Sequence, residues 1–382
     1  MSWLEILFWV SGALIVYTHV GYPLLLRALV EFQRGHRRRL PVAPDRPGVA
    51  LIVASHDEQD VIEAKLENAA SLDYPRDRLE IVVASDGSTD DTVRLVRQFA
   101  ARDGRVRLLE LPRQGKVRAQ DAAVDATGAE IVAFSDANAL WEPDSLELLV
   151  QRFSDPAVGY ACGQLRYLAA DGSNQEGAYW RYETAVRALE SRVGSITGGN
   201  GAIYAVRRGA YLRLDPRTSH DLSLPFNLVK RGWRAVYEPL ARAVERPLPS
   251  VENEFARKRR MMSHAWPTVI RGGMLDPRGY GFTYGLQILS HRVLRYATPL
   301  LHVIAFGSNV ALAGEAQVYV LTLALQLAVL LGAVLAPLTG GRVRLFALCY
   351  YYVLVTASLA AGLWDWLRKG TPATWERAEG RT

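Results

Sequence analysis

A chain of 382 residues has room for one large domain or two, and about half of it is apolar. Its two cysteines, Cys162 and Cys349, are too few and too far apart for a disulfide framework or a zinc site. The net charge of +6 comes from an arginine-dominated set (five lysines among 45 basic residues) with no aromatic-interleaved stripe, which speaks against nucleic acid and suits anionic membranes or diphosphates.

The first element is apolar from Trp3 to Val30, interrupted only by Glu5, His19 and Arg27, and is long enough to span a bilayer. No positive charge precedes it and no small-residue cleavage site follows, so it reads as an anchor rather than a signal peptide. Arg34-Gly-His-Arg37-Arg38-Arg39 comes next, a cluster that the positive-inside rule places in the cytoplasm together with whatever follows it. A proline-rich linker, Pro41 to Pro47, leads on.

From Val49 to about Glu238 the pattern is strand then helix, repeated. Val49 to Ala54 reads as a buried strand ending in Ser55-His56-Asp57-Glu58, with a helix through Ala70. Leu79 to Ala84 is a second strand, ending in Ser85-Asp86-Gly-Ser-Thr-Asp90-Asp91, where Thr89 or Asp90 is expected to cap a helix running to Ala101. Val106 to Leu111 is a third strand and Ile131 to Phe134 a fourth. Short apolar runs alternating with helices give an α/β fold with a mostly parallel sheet covered on both faces.

The fourth strand stops at Asp136. Alternation puts Asp136 and Asn138 on one side of the chain at the strand's carboxyl end, with Pro143 in the first turn of the next helix. Ligands bind at that edge of open α/β sheets, where two oxygen-bearing side chains suit a hard cation completed by phosphate. The alternative for an Asp-x-Asn is a helix cap. Asp57, Glu58, Asp86 and Asp221 also fall at strand or loop ends; clustered carboxylates are best tolerated where a cation or a ligand's donors offset them. Gln114-Gly115-Lys116 adds a flexible turn and a positive group.

Beyond Leu275, Val293 to Ala313, Gln317 to Pro337 and Val343 to Leu367 are each of membrane length. Arg342 and Arg344 mark the second connection as internal, whereas Gly314-Glu315-Ala316 carries no basic residue. Three full spans leave Arg368, Lys369, Arg377 and Arg381 outside, so either the tail is exported or one segment is interfacial or re-entrant.

Asp86-Gly-Ser-Thr-Asp-Asp-Thr, Gly115-Lys116, Ser135-Asp136-Ala-Asn138, Thr197-Gly-Gly-Asn-Gly-Ala202 and His220-Asp221-Leu-Ser-Leu-Pro225 before Arg231-Gly232-Trp233 occur in the order seen in glycosyltransferase family 2. Over Val49 to Trp266 the chain resembles the membrane-bound branch of that family. The resemblance implies a GT-A fold, a nucleotide-sugar donor with UDP-sugars first, and a divalent cation, Mg2+ or Mn2+. It implies a hexosyltransferase of the cell membrane, multi-pass, with its catalytic domain in the cytoplasm and a lipid or glycan acceptor. The resulting division is an anchor at 1–32, a basic and proline-rich linker at 33–48, and the catalytic domain at 49–240. An interfacial segment at 241–290, about three spans at 291–367 and a polar tail at 368–382 complete it.

Carried over residue by residue, the resemblance places Ser55, Asp57 and Glu58 in the nucleotide pocket, Asp86 at the base, and Gly115 and Lys116 beside the nucleotide. Asp136 would bind the metal with Asn138, and Asp221 would be the general base. Gly198, Gly199, Asn200 and Gly201 would form a loop whose backbone approaches the sugar or acceptor closely. Two departures stand out. The metal motif often ends in Asp, and here Asn138 supplies an oxygen without charge. Processive synthases carry Gln- or Arg-x-x-Arg-Trp after the base; here it is Arg257-Lys-Arg-Arg260-Met261, with Trp266 later. Arg257 and Arg260 would still clamp the diphosphate, or form a juxtamembrane patch on anionic lipid. The missing Trp favours single sugar transfer over a processive polysaccharide synthase. A nucleotidyltransferase and a non-catalytic nucleotide-binding partner are the alternatives of another class. Tyr179-Trp180-Arg181-Tyr182-Glu183 reads either as a wall near the acceptor or as a helix packing its aromatic face into the core.

Overall fold

The computed structural model describes residues 1–33, 46–167, 178–245, 251–340 and 342–370. The basic cluster Arg34 to Arg39, most of the proline-rich linker, and Arg377 and Arg381 of the tail lie outside the described residues.

The chain begins with α1 (Trp3–Val16), which continues through a π-helical turn (Tyr17–Gly21) into α2 (Tyr22–Phe32). There follow β1 (Val49–Ser55), α3 (Ile62–Ala70), β2 (Leu79–Asp86), α4 (Thr92–Ala100) and β3 (Val106–Leu111). Next come α5 (Lys116–Ala126), β4 (Ile131–Asp136), β5 (Leu140–Trp141), α6 (Ser145–Gln151), β6 (Val158–Tyr167) and α7 (Ala178–Val193). The domain closes with β7 (Ile203–Arg207), α8 (His220–Val229) and β8 (Arg234–Glu245).

The eight strands form one sheet in the order β3-β2-β1-β4-β7-β6-β8-β5. Four of the seven pairings are parallel, as the alternation of strand and helix predicts. Register decides where the chemistry lies. Ala54 of β1 stands opposite both Ala84 of β2 and Asp136 of β4, so these strands end on one line. β7 is antiparallel to β4, with Ile203 opposite Ser135, and therefore the loop entering β7 is delivered to that same line. β6 is antiparallel to β7 and parallel to β8, which brings Glu245, the last residue of β8, to the edge as well.

Alternate residues of the strands feed two cores. Val49, Leu51 and Val53 face Ile62, Leu66 and Ala69 of α3 and Leu146 and Leu149 of α6. Ala50, Ile52 and Phe134 face Ala119 and Ala123 of α5 and Leu224 and Leu228 of α8. Each fully buried Leu, Ile or Phe contributes roughly 1.5–3 kcal/mol, which locks strand register and with it the edge.

Past the sheet lie α9 (Val251–Ile270), α10 (Phe282–Gln287), a π-helical turn (Ile288–Val293), α11 (Leu294–Leu312), α12 (Gln317–Leu335) and α13 (Arg344–Lys369). Among the described residues three helices are long and apolar enough to cross a membrane: Trp3–Phe32, α12 and α13, with mean hydropathies of 1.5, 2.4 and 1.7. α11 falls short of that measure, because Arg295, Thr298, His302, Ser308 and Asn309 interrupt it. Polar contacts fasten the helices to the domain and to one another. Tyr22 Oη donates to the buried Glu190 at 2.6 Å, Trp266 Nε1 of α9 donates to the Leu359 carbonyl at 2.9 Å, and Arg259 forms a two-pronged ion pair with Asp365 of α13.

Candidate active site

The carboxyl edge of β1, β2 and β4 gathers most of the residues singled out in the sequence. Ser55 is fully buried, and its Oγ has no hydrogen-bond partner. Asp57 follows in the left-handed region at φ 51°, unusual for a residue with a Cβ. Its Oδ1 accepts from the amides of Thr89 (2.7 Å) and Asp90 (3.4 Å), and its own N–H donates to Ser88 Oγ at 3.2 Å. Burial pushes the Asp57 carboxyl up, but these amides and His56 outweigh it and hold the group below its ordinary value. Glu58 is buried, and its N–H donates to Thr92 Oγ1 at 2.8 Å. The N-cap position of α4 falls on Asp91, which makes no side-chain cap bond, rather than on Thr89 or Asp90; Asp90, one residue earlier, accepts from Thr92 N through Oδ1 at 3.0 Å.

Asp86 spends its carboxylate on the next turn. Its Oδ1 accepts from Gln114 N (2.7 Å) and Gly115 N (3.1 Å), and its Oδ2 accepts from Gly115 N at 2.9 Å. Gly115 has φ 97°, which a residue with a Cβ rarely adopts, and the turn starts α5 directly. Lys116, first residue of α5, is thereby aimed across the edge into an ion pair with Asp136. Two residues on, Asn138 Nδ2 donates to Glu245.

The other wall is the loop before β7. Gly199 N donates to the backbone carbonyl of Asp221 at 2.6 Å. A Cβ on Gly199 would lie 1.9 Å from Tyr160 Oη, and one on Gly198 would lie 2.2 Å from Arg292 Nη2, so the close approach needs glycine. Asp221 stands in the first turn of α8, half-buried, and its carboxylate makes no hydrogen bond or ion pair among the described residues. Next to it in chain or loop, Asn200 Nδ2, His220 Nε2 and Ser223 Oγ are buried without partners. His220 Nδ1 pairs with Tyr204 Oη at 2.9 Å; burial first, then the charge of Lys116, pushes its pKa down to about 3.

Residues 50–215 match the family described as glycosyl transferase family 2. This is a family 2 glycosyltransferase domain. The chain is similar to a poly-beta-1,6-N-acetyl-D-glucosamine synthase of Staphylococcus aureus (strain MSSA476), with 23% identity over 248 residues, 62% of this chain and 56% of the synthase. It is similar to an N-acetylglucosaminyltransferase of Rhizobium meliloti (strain 1021), 29% identical over 215 residues and half of each chain. It spans about half the length of these curated relatives. Among solved structures, the mannosyltransferase PcManGT from Pyrobaculum calidifontis, in complex with GDP-Man and Mn2+, superposes with a TM-score of 0.71 at 27% identity. That match covers 95% of this chain and 99% of the other. The likeness supports the GT-A fold over the sheet and the helices that follow it.

The glycosyltransferase domain offers a cation a small donor set. Among the described residues no group of three or more His, Cys, Asp or Glu is arranged to hold a metal. What the edge provides is the Asp136 carboxylate and, because Asn138 uses its Nδ2 on Glu245, the Asn138 amide oxygen. Such a pair fits a hard cation that takes its remaining oxygens from a bound diphosphate, the usual manner of Mg2+ in nucleotide sites.

Two segments named from the sequence, the α9 arginines and the aromatic stretch of α7, have partners of their own in the structure. Arg257 is paired with Glu254 one turn back on α9, through Nε and Nη2 at 2.8 Å each, so its fork is occupied on its own helix; Arg260 lies half-buried on the same helix. Trp266, the later tryptophan, is buried against α13. In α7, Trp180 Nε1 donates to the Leu165 carbonyl, Tyr182 Oη donates to the His19 carbonyl, and Glu183 pairs with Arg295, so that segment docks the helices onto the glycosyltransferase domain. Conversely, Glu245, Tyr160 and Arg292 belong to the walls of the site without having been singled out. They come from strand ends and a π-helical turn far away in sequence, and only the register of β8 and the packing of the loop bring them in.

Proposed function

We propose that the chain is a membrane-anchored inverting glycosyltransferase that moves one sugar from a nucleotide-sugar donor to a lipid-linked or membrane-proximal acceptor. The observation that carries this reading is Asp221. Asp57, Asp86 and Asp136 are each committed to amides or to a lysine, whereas the Asp221 carboxylate, half-buried beside the glycine loop on the same sheet edge, is committed to nothing.

In this reading the acceptor hydroxyl oxygen bonds to the anomeric carbon as the bond from that carbon to the β-phosphate oxygen breaks. Asp221 takes the hydroxyl proton, and the nucleoside diphosphate leaves from the opposite face. Asp136 and Asn138 would hold a divalent cation, which would supply charge stabilisation to the departing diphosphate. Lys116 sits where it can transfer its contact from Asp136 to a phosphate oxygen, and Asp86 holds the turn that aims it. Ser55, Asp57 and Glu58 line the nucleotide side. The Gly198–Gly201 backbone faces the sugar or acceptor. UDP-sugars are the first donors to test and GDP-sugars the second, since the mannosyltransferase binds GDP-Man. The three apolar helices and the arginines flanking them support a multi-pass protein of the cell membrane with its catalytic domain in the cytoplasm.

A processive synthase is the second reading, favoured by the name of the Staphylococcus relative. The burial of Trp266 argues for single transfer instead. The test is release of nucleoside diphosphate from a panel of UDP- and GDP-sugars by protein in lipid, with and without Mn2+ and with membrane lipid extract as acceptor. Metal-dependent release with discrete single additions is the expected result. A ladder of oligomers would establish the processive reading, and release of pyrophosphate would mean a nucleotidyltransferase. Tight nucleotide binding with no release under any condition would point to a non-catalytic partner.

A further inference from the structure

We propose that Lys65 and Asn68 of α3 are positioning residues that hold the metal-side turn and the glycine loop in register. Neither touches a substrate position; both grip the chain between Asp136 and β5. Lys65 Nζ donates to the Ala139 carbonyl at 2.7 Å, and Asn68 binds Trp141 at both backbone groups, Nδ2 to its carbonyl and Oδ1 from its N–H, each at 2.8 Å. The side-chain amide thus acts as a strand partner for an otherwise two-residue strand. Trp141 passes the grip on, because its Nε1 donates to the Ala202 carbonyl, where the glycine loop enters β7, at 3.1 Å. One helix face therefore fixes the exit of β4, which carries Asp136 and Asn138, and the end of the loop that lies against Asp221.

The ammonium is the costly part. Lys65 is fully buried on the apolar stripe of Ile62, Leu66 and Ala69, where a Met would fill the space without losing solvation. Burial pulls its pKa down to about 7 even though Asp136 pulls the other way, and the Trp141 ring lies 5.6 Å away. A neutral core residue at this point leaves the Ala139 carbonyl with only the longer contact from Ser135 Oγ, at 3.4 Å, and removes the grip of α3 on the turn after Asp136. The three-residue spacing of Lys65 and Asn68 puts both on the same face of α3, so they act as one device.

The inference rests on the transferase reading, in which Asp136 holds the cation. The test uses the full chain in lipid nanodiscs, with UDP and GDP as probes and Mn2+ followed by electron paramagnetic resonance. Thermal melting checks that Lys65→Met and Asn68→Ala are folded; Asn68 is only half-buried, so its variant remains informative if Lys65→Met does not fold. Each folded variant is expected to weaken nucleotide-dependent Mn2+ binding about 10-fold, the usual cost of losing a partner that orients a metal ligand, while metal-free nucleotide affinity stays unchanged. Mn2+ binding within about twofold of the unaltered protein, far below that cost, would overturn the inference, as would a parallel fall in metal-free nucleotide affinity. If the unaltered protein binds nucleotide but no Mn2+, the inference and the cation in the transferase reading fall together. If it binds Mn2+ and the variants do so equally well, only the inference falls.

Discussion

The two walls of the site are built in opposite ways. On the proposed nucleotide side, the 55–58 and 86–92 loops and the 114–116 turn are bound to one another by several side-chain-to-backbone bonds, Asp57 to Thr89 and Asp90, Glu58 N to Thr92, Asp86 to Gln114 and Gly115, with Ser55 Oγ the buried exception. On the side of Asp221, the carboxylate proposed as the base makes no hydrogen bond or ion pair among the described residues, and Asn200 Nδ2, His220 Nε2 and Ser223 Oγ are buried there without partners among those residues. Buried polar groups left unpaired each cost of order 1–3 kcal/mol, so a fold keeps them where something else repays the cost. The contrast suits a rigid socket for the donor and a reactive surface reserved for acceptor and sugar.

The comparison can be broken at several points, beginning with the largest effect. Asp136→Ala removes the carboxylate proposed to hold the cation and the Asp136 partner of Lys116; metal-dependent donor turnover should fall by at least about 100-fold, read as nucleoside diphosphate release across a Mn2+ titration. Gly199→Ala drives a Cβ into Tyr160 Oη and should destabilise the chain by about 1–3 kcal/mol, measured as a lower melting temperature. Gly198→Ala should cost less, because the atom it meets is the far end of the Arg292 side chain.

A third effect depends on pH. His220 is held neutral in the fold, with its pKa lowered from the ordinary 6.5 to about 3, while the unfolded chain takes up its proton normally. Between those values the unfolded state binds more protons, so stability from this site is intact above about pH 6.5 and is lost as pH falls toward 3. Melting temperature followed from pH 7 downward should decline less steeply in His220→Phe than in the unaltered chain. The smallest effect is expected for Arg257→Gln. Its guanidinium pairs with Glu254 one turn back on α9, and helix pairs at this spacing are worth roughly 0.2–0.5 kcal/mol, so melting temperature should hardly move, and an unchanged nucleotide affinity would remove Arg257 as a diphosphate clamp.

The fold was legible because its signals are local. Strand-like runs at Val49, Leu79 and Ile131 each end at a polar group and the one at Val106 ends at Pro112, and the observed strands start at those residues and run at most two positions further. The donor side of the site followed, since parallel strands must bring Ser55, Asp86 and Asp136 to one edge. The acceptor wall was less legible. That the Thr197–Ala202 loop reaches this edge depends on β7 running antiparallel, and that Arg292 backs Gly198 depends on helices nearly a hundred residues later. Arg257 and Arg260 follow a motif spacing that resembles a diphosphate clamp, and the pairing of Arg257 with Glu254, one helical turn back, could not be read from that spacing. Lys65 carried a signal that went unread: a charged residue on the buried stripe of an amphipathic helix.

The most direct test of the central claim is Asp221→Asn, with donor binding and sugar transfer measured on the same reconstituted preparation. An amide keeps the shape and removes the base. Nucleotide-sugar affinity should therefore stay close to that of the unaltered chain while transfer falls by about 10²–10⁴-fold, the contribution typical of a general base. Transfer at the original rate, or loss of donor binding in step with loss of transfer, would contradict the assignment of Asp221 as the base.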